Sequence, residues 1–454
     1  MTTASATESP AIEQGWRHRA LGAARWFAVT SLFMAPVNKP GTNVAIGLCI
    51  LLSLLGADAG RRWAASWRHP VVRGALVWWA VLFLSALHAW YLTGRLPLGG
   101  SFIWACWYPL ALGSVLDDDR WRTRALIGFA AAMTLTLLLS FGMAVGWVPQ
   151  RSLVHTQPFM RDTVFKEYTQ QGLATLILAS MALAGAVTSR SARVRWGLAL
   201  LAVLAVANVC LALESRTTYL TLLPVAGYWA WRLLMRRWSA LRAGATLAAL
   251  AVIAATALWF TPLVRDRLIL SVDHEIVAYE QQHVPTSSGI RLELWRRTLP
   301  MIASAPLFGH GLHQWEPLYR QSISEMPDRQ AFMMGHPHQE MLLILAEQGI
   351  AGLLVYLLLL AALARYVLRL EPPQRDIQAC VLVIYLVAGM ANCLWADFTH
   401  RHVFILLLSC IPLVKQGKFL SKARDGSPDA RKNLRRRDRG VRHVPEPGAG
   451  RAAG

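Results

Sequence analysis

The sequence is poor in charge, and poorest in negative charge. Only 16% of its 454 residues are Asp, Glu, Lys or Arg, against roughly 25% in soluble proteins. Against 26 acidic residues stand 46 basic ones, a formal net charge of +20. A cleavable signal is also lacking. The first 18 residues are polar and hold no apolar core, so the first apolar run must itself direct insertion. No internal repeat is visible. The six cysteines (Cys49, Cys106, Cys210, Cys380, Cys393 and Cys410) all fall within apolar runs. They have no metal spacing and form no disulfide framework, which leaves packing as their role.

What the sequence does have is hydrophobic length. Apolar residues make up 55% of the chain. That is roughly 250 residues, and at roughly 20 per bilayer-spanning helix about twelve spans would use nearly all of them. Apolar runs lie near 19–37, 42–57, 71–93, 101–116, 124–147, 171–188, 196–213, 217–235, 243–262, 338–366, 377–396 and 402–415. The expected fold is an all-α polytopic membrane protein with about 12 transmembrane helices and a large outer loop containing amphipathic helices. Three regions follow: an N-terminal tail over 1–18, a membrane domain over 19–415 with its long loop at 263–337, and a disordered basic tail over 416–454. A soluble, basic, nucleic-acid-binding globule is excluded by runs this long and numerous.

Lys and Arg assign the sides. With both termini cytoplasmic, 32 of the 46 fall on that side, 7 in short outer loops and 7 in the long outer loop. Tryptophans at span ends, such as Trp63, Trp121 and Trp196 inside and Trp90, Trp147 and Trp259 outside, fit interfacial belts. The tail segment KNLRRRDR admits a nucleic-acid reading, but a topogenic tail touching anionic lipid accounts for it without one.

Basic residues on the outer side run against the topological bias, so each needs a reason. Arg216 lies in ESRTTYL, where Ser215 can cap the next helix and put Arg216 in its first turn. A cation is disfavoured there by the macrodipole. An anion held by the helix amides and the guanidinium together would offset that cost; a salt bridge to Glu214 is the alternative. Arg265 and Arg267 flank Asp266 after the ninth run, and Arg161 lies in the outer loop at 148–170 beside Lys166, Glu167 and Tyr168. In RLELWRRTLPMIASAPLFG, Leu292, Leu294, Trp295, Leu299 and Ile302 approximate a helical period with Arg291, Arg296 and Arg297 interspersed. That pattern predicts an amphipathic helix whose arginines either bind a ligand or reach to headgroups.

GHPHQEMLLILAEQGIAGLL carries the strongest signal. Pro337 suits a first helical position and would place His338 in the first turn of the tenth span. A helix N-terminus and nearby arginines would keep its imidazole neutral near pH 7, the form a general base needs. Glu347 lies nine residues further on, at a depth where an acidic side chain is functional or partnered. Gly349 and Gly352 permit close helix approach or a local break. A metal site built from His310, His313, His336, His338 and Glu340 is weighed against this; Pro337 and the gap between the pairs leave its geometry unconstrained. Outer arginines beside a membrane-surface histidine suit a lipid carrying phosphate or pyrophosphate. A sugar on pyrophosphate already has a stable leaving group that needs charge stabilisation, and the acceptor hydroxyl needs a base.

At these residues the chain resembles the O-antigen ligase and polymerase superfamily. GHPHQEMLLILAEQGIAGLL is similar to its H-x-H-N-x-x-L…E-x-G-x-x-G stretch, with Gln339 in place of the usual asparagine. SSGIRLELWRRTLPMIASAPLFGHG is similar to its R-x-x-x-W…P-x-x-G-x-G segment through Arg291, Trp295, Pro306, Gly309 and Gly311, and ESRTTYL to its S-R-[ST] element. The resemblance implies a multi-pass protein of the bacterial inner membrane with its active site at the periplasmic face. It implies a donor glycan on undecaprenyl pyrophosphate, an acceptor hydroxyl on lipid A-core, inverting transfer and no cofactor or metal. His338 would match the essential histidine, and Arg216 and Arg291 the arginines facing pyrophosphate, with Arg265 and Arg161 added for position. Arg401, close to Asp397, is either a further contact or an ion pair. Within the superfamily, ligase, polymerase and protein O-oligosaccharyltransferase differ in acceptor; outside it, a transporter of an anionic lipid or sugar would use Glu347 and Gly349 as a broken helix.

Overall fold

Among the described residues, five or six helices are of spanning length, fewer than the twelve apolar runs. The computed structural model describes residues 9–97, 101–149, 163–213, 215–249, 271–326 and 329–413, and every regular element among them is helical. The first group of helices is α1 (Ser9–Met34), α2 (Lys39–Leu55), α3 (Ala59–Trp67), α4 (Pro70–Thr93), α5 (Ser101–Trp104) and α6 (Tyr108–Val115). Then come α7 (Asp119–Ala144), α8 (Tyr168–Thr188), α9 (Ala192–Leu211) and α10 (Arg216–Leu234). The long loop contains α11 (Ser271–Gln282), α12 (Ser287–Ser304) and α13 (Trp315–Ser322). The chain continues through α14 (Glu340–Val367), α15 (Gln374–Gly389) and α16 (Phe398–Leu408).

Among the described residues, α4, α7, α8, α9 and α14 are long and apolar enough to cross a membrane. A sixth span arises if α2 and α3, bent by 117°, count as one. Other runs fall short for local reasons. Residues 101–116 divide into α5, a 3-10 turn at Ala105–Trp107 and α6, with Pro109 in the first turn of α6. α10 carries Pro224 inside it, and α16 has only 11 residues. The run at 243–262 continues beyond the described residues, and the tail over 416–454 lies outside them.

Helix starts follow capping chemistry. Asn38, Asp118, Ser215 and Asp397 each accept from a backbone N–H in the first turn of their helix, satisfying donors that no helix can satisfy itself. The bend between α2 and α3 has its own clamp. Buried Arg62 donates to the carbonyls of Ala57 (2.8 Å), Ser53 (3.0 Å) and Ser114 (3.1 Å).

α14 is broken at Gly349, with φ 67 and ψ −168. The segment Pro306–Gly311 fills the break with backbone bonds. Ile350 N–H donates to Pro306 (2.9 Å) and Ala351 N–H to Leu307 (3.1 Å). In return His310 N–H donates to Ala346 and Gly311 N–H to Glu347, both at 2.9 Å. Glycine is required for this approach. A Cβ on Gly309 would lie 2.4 Å from the Glu347 carbonyl carbon, and one on Gly349 2.4 Å from that of Leu307. The two glycine motifs are therefore halves of one joint. The Glu347 carboxyl group is buried, takes Gln348 Nε2–H at 3.3 Å and faces the backbone of His313 and Trp315 in the loop it anchors.

The long loop is a folded layer rather than a connector. Tyr279, Leu294, Trp315, Tyr319 and Phe332 pack with Leu343 and Ala346 of α14 into one apolar cluster. Trp315 Nε1–H donates to Thr298 Oγ1 (2.9 Å), and Tyr319 O–H to the Phe332 carbonyl (3.1 Å), so the aromatic bodies are buried without orphaning their polar ends. The expected helix forms as α12. Arg296 pairs with Glu280 at 2.6 Å and Arg297 with Glu293 at 2.7 Å, so both are held within this layer.

Candidate active site

His338 sits just outside α14, not in its first turn. Gln339 is the cap: its Oε1 accepts from Leu342 N–H, and the helix begins at Glu340. Pro337 therefore lies outside the helix, and His338 adopts φ 53. A left-handed backbone on a residue with a Cβ costs about 1–2 kcal/mol, and such positions concentrate at functional sites. Gln339 takes the capping role open to the shorter asparagine of the family motif.

The imidazole is oriented by a chain of hydrogen bonds. Asn392 Nδ2–H donates to Thr217 Oγ1 at 3.2 Å, which turns the amide oxygen toward His338 Nδ1, 3.3 Å away. With its Oδ1 so placed, Asn392 accepts from Nδ1–H and leaves Nε2 with the free lone pair. Burial, then the neighbouring His336 and Arg291, push the His338 imidazole down to about 4. It is neutral at pH 7, as expected, though burial rather than a helix terminus is the main cause.

Arg291 lies on α12 one turn before Trp295, whose Nε1–H donates to the Pro337 carbonyl at 3.1 Å. That bond pins α12 to the segment carrying His338. The Arg291 guanidinium is half-buried and has no hydrogen bond or ion pair among the described residues. Burial lowers its pKa; Arg216 adds to this, while Tyr168 and Glu275 oppose it. A desolvated, uncommitted guanidinium is poised for an anion.

Arg216 is the first residue of α10, with Ser215 as cap, as the sequence predicts. The anion on it is the protein's own. Glu275 of α11 takes a bidentate pair from the guanidinium at 2.6 and 3.1 Å. The same carboxylate accepts from Ser288 N–H (3.0 Å) and Ser288 Oγ–H (2.6 Å) at the start of α12. Burial alone would raise the Glu275 pKa, but bonds from Arg216 and Ser288 outweigh it and hold it below the ordinary value. Glu214, the partner considered from sequence, lies outside the described residues.

His338, Arg216 and Arg291 therefore meet in one place. Arg161 and Arg265 lie outside the described residues, as does Arg267. Arg401 is buried and donates to the carbonyls of Trp395 and Ala396, tying the turn ahead of α16, while Asp397 binds His400 at 3.0 Å and Gln170 at 2.6 Å. The histidines weighed as metal ligands separate. His310 Nε2 lies 2.9 Å from the Met301 carbonyl, His313 packs on Phe102, and His336 packs on His338. Among the described residues no three His, Cys, Asp or Glu side chains converge as ligands.

Sequence reasoning did not single out Asn392 or Glu275, and it named Tyr168 only as a residue of the outer loop. Tyr168 starts α8, beside Arg216 and Arg291, and Thr169 Oγ1 lies 3.3 Å from Ser215 Oγ. An isolated Asn near the end of the apolar run at 377–396 carries no local signal. Glu275 is 59 positions from Arg216, beyond any spacing rule.

Residues 199–357 match the family model described as O-antigen ligase. That stretch is similar to the O-antigen ligase family. It runs from α9 to beyond the break in α14, so the matched segment contains Arg216, Arg291, His338 and both halves of the glycine joint. No curated protein sequence matches the chain.

Proposed function

We propose that the protein is an O-antigen ligase, moving glycan from undecaprenyl pyrophosphate to a sugar hydroxyl of lipid A-core. The observation that carries this reading is the pairing of a neutral, oriented His338 with the uncommitted Arg291. His338 Nε2 takes the proton of the acceptor hydroxyl as its oxygen attacks the anomeric carbon. The bond from that carbon to pyrophosphate breaks with inversion, and the electron pair leaves on a phosphate oxygen. Arg291 stabilises that charge by a forked contact. Arg216, joined to His338 through Thr217 and Asn392, offers a second guanidinium once the phosphate competes with Glu275. The donor set needs no general acid, because pyrophosphate is already a stable leaving group.

In this reading about twelve membrane crossings, both termini in the cytoplasm of a bacterial inner membrane and a 263–337 loop at the periplasmic face complete the architecture. Arg265 and Arg161 are retained as further pyrophosphate contacts. The transporter reading is weakened because the break in α14 is filled by backbone from 306–311 instead of lining a pathway. The deciding experiment is transfer by the purified protein from a pyrophosphate-linked glycan, with lipid A-core, a second lipid-linked glycan and a protein hydroxyl competing as acceptors, with and without chelator. Preferential transfer to lipid A-core that survives chelation is expected. Transfer to the second glycan would make it a polymerase, and transfer to protein an oligosaccharyltransferase. Loss on chelation would restore a metal.

A further inference from the structure

A second cation in this cleft is left over by the mechanism above. Lys166 lies on the segment leading into α8, two residues before Tyr168, and is only 8% exposed. Among the described residues its ammonium makes no hydrogen bond or ion pair. The acid that acts on it, Asp397, is engaged elsewhere: one oxygen takes Gln170 Nε2 at 2.6 Å, and the other takes His400 N–H at 2.8 Å and faces His400 Nδ1 at 3.0 Å. Lys39 adds charge of the same sign. It is the first residue of α2, where the helix amides oppose a cation, and its Nζ lies 5.9 Å from the centre of the Phe398 ring. Burial, with Lys39 adding to it and Asp397 opposing, pushes the Lys166 ammonium down to about 8. The cluster is tied to the proposed site through α8: Thr169, three residues after Lys166, has its Oγ1 3.3 Å from Ser215 Oγ, beside Arg216.

A buried ammonium without a direct hydrogen bond or ion pair is expensive unless something brings an anion into contact with it. We propose that Lys166, backed by Lys39, is a second phosphate-recognition point of this cleft, separate from the Arg216 and Arg291 pair. The inference rests on the transfer reading above and extends it to a phosphate that Arg291 does not hold. Ammonium groups act on phosphate as point charges, without the fixed fork of arginine, so this point tolerates a phosphate monoester in several poses. Two sources present that chemistry: the donor's pyrophosphate and a phosphate on the acceptor lipid.

Titration of the purified full-length protein with farnesyl pyrophosphate, with a phosphorylated lipid A-core and with its enzymatically dephosphorylated form separates them. Lys166→Gln is expected to weaken one phosphorylated ligand at least tenfold, with Lys166→Arg and Lys39→Gln intermediate and the melting temperature unchanged. Dephosphorylated lipid should bind wild type and variant equally. Loss confined to farnesyl pyrophosphate assigns the point to the donor; loss confined to the phosphorylated acceptor assigns it there. If wild type binds both phosphorylated ligands and Lys166→Gln matches it within twofold, the second point is overturned while the transfer reading stands. If wild type binds neither, both fall.

Discussion

α10 ends in an arginine–carboxylate pair at each terminus, and the two pairs are built differently. At its C-terminal end Arg232 grips Asp376 at 2.8 and 3.1 Å, and Tyr228 O–H donates to the same carboxylate at 2.7 Å. That carboxylate is wholly buried, and a cation in the last turn agrees with the helix dipole. At the N-terminal end Arg216 grips Glu275 in the same bidentate way, but both side chains are partly exposed and the cation opposes the dipole. The first pair locks two helices together. The second is more open to solvent, and it sits beside an arginine and a lysine that have no ion pair among the described residues. In the proposed reading, the site is marked by incomplete neutralisation, not by the presence of arginine.

That contrast can be broken experimentally. His338→Ala should lower transfer by about 1,000-fold, the range of a general base, with the protein still folded. In the wild type, kcat/KM should fall as pH drops through about 4, because only then is the imidazole protonated; an acid limb near pH 6.5 would contradict a buried base. Arg291→Ala should cost about 100-fold or more in kcat/KM with the melting temperature unchanged, since its guanidinium has no hydrogen bond or ion pair among the described residues. Arg232→Ala should do the reverse, removing about 2 kcal/mol of stability by leaving Asp376 only Tyr228 and the more distant Arg375, with activity per folded molecule intact; a stable but inactive variant would erase the distinction. The smallest effect is expected from Glu275→Gln, which removes a competing charge and should lower the donor KM about two- to fivefold. A raised KM would mean that Glu275 positions Arg216 instead of screening it.

Much of the site was legible in sequence because its chemistry is local. The Ser215 cap, the amphipathic helix of Arg291 and the His338 segment are each written within a few residues. The missing parts are relations between segments. The two glycine motifs could be read singly, but not as interlocking backbones nearly forty positions apart. The placement of His338 inside a first helical turn failed because Pro337 signals a helix start without specifying its register, and Gln339 reached Leu342 first. Hydropathy likewise counts apolar residues and not helix length, so Pro109 and the short α16 broke the correspondence between runs and helices long enough to span.

The joint between 306–311 and the break in α14 also limits how substrates can enter. Lifting that part of the loop as a lid would break four backbone hydrogen bonds, each contributing about 0.5–1.5 kcal/mol net and more if left dry. That part of the layer is thus riveted to α14 and can act only as the pivot. The Glu275 end has no such rivet, only side-chain bonds to Arg216 and Ser288. A bulky glycan entering the cleft would therefore tilt the layer about the glycine joint, opening first where Arg216 waits.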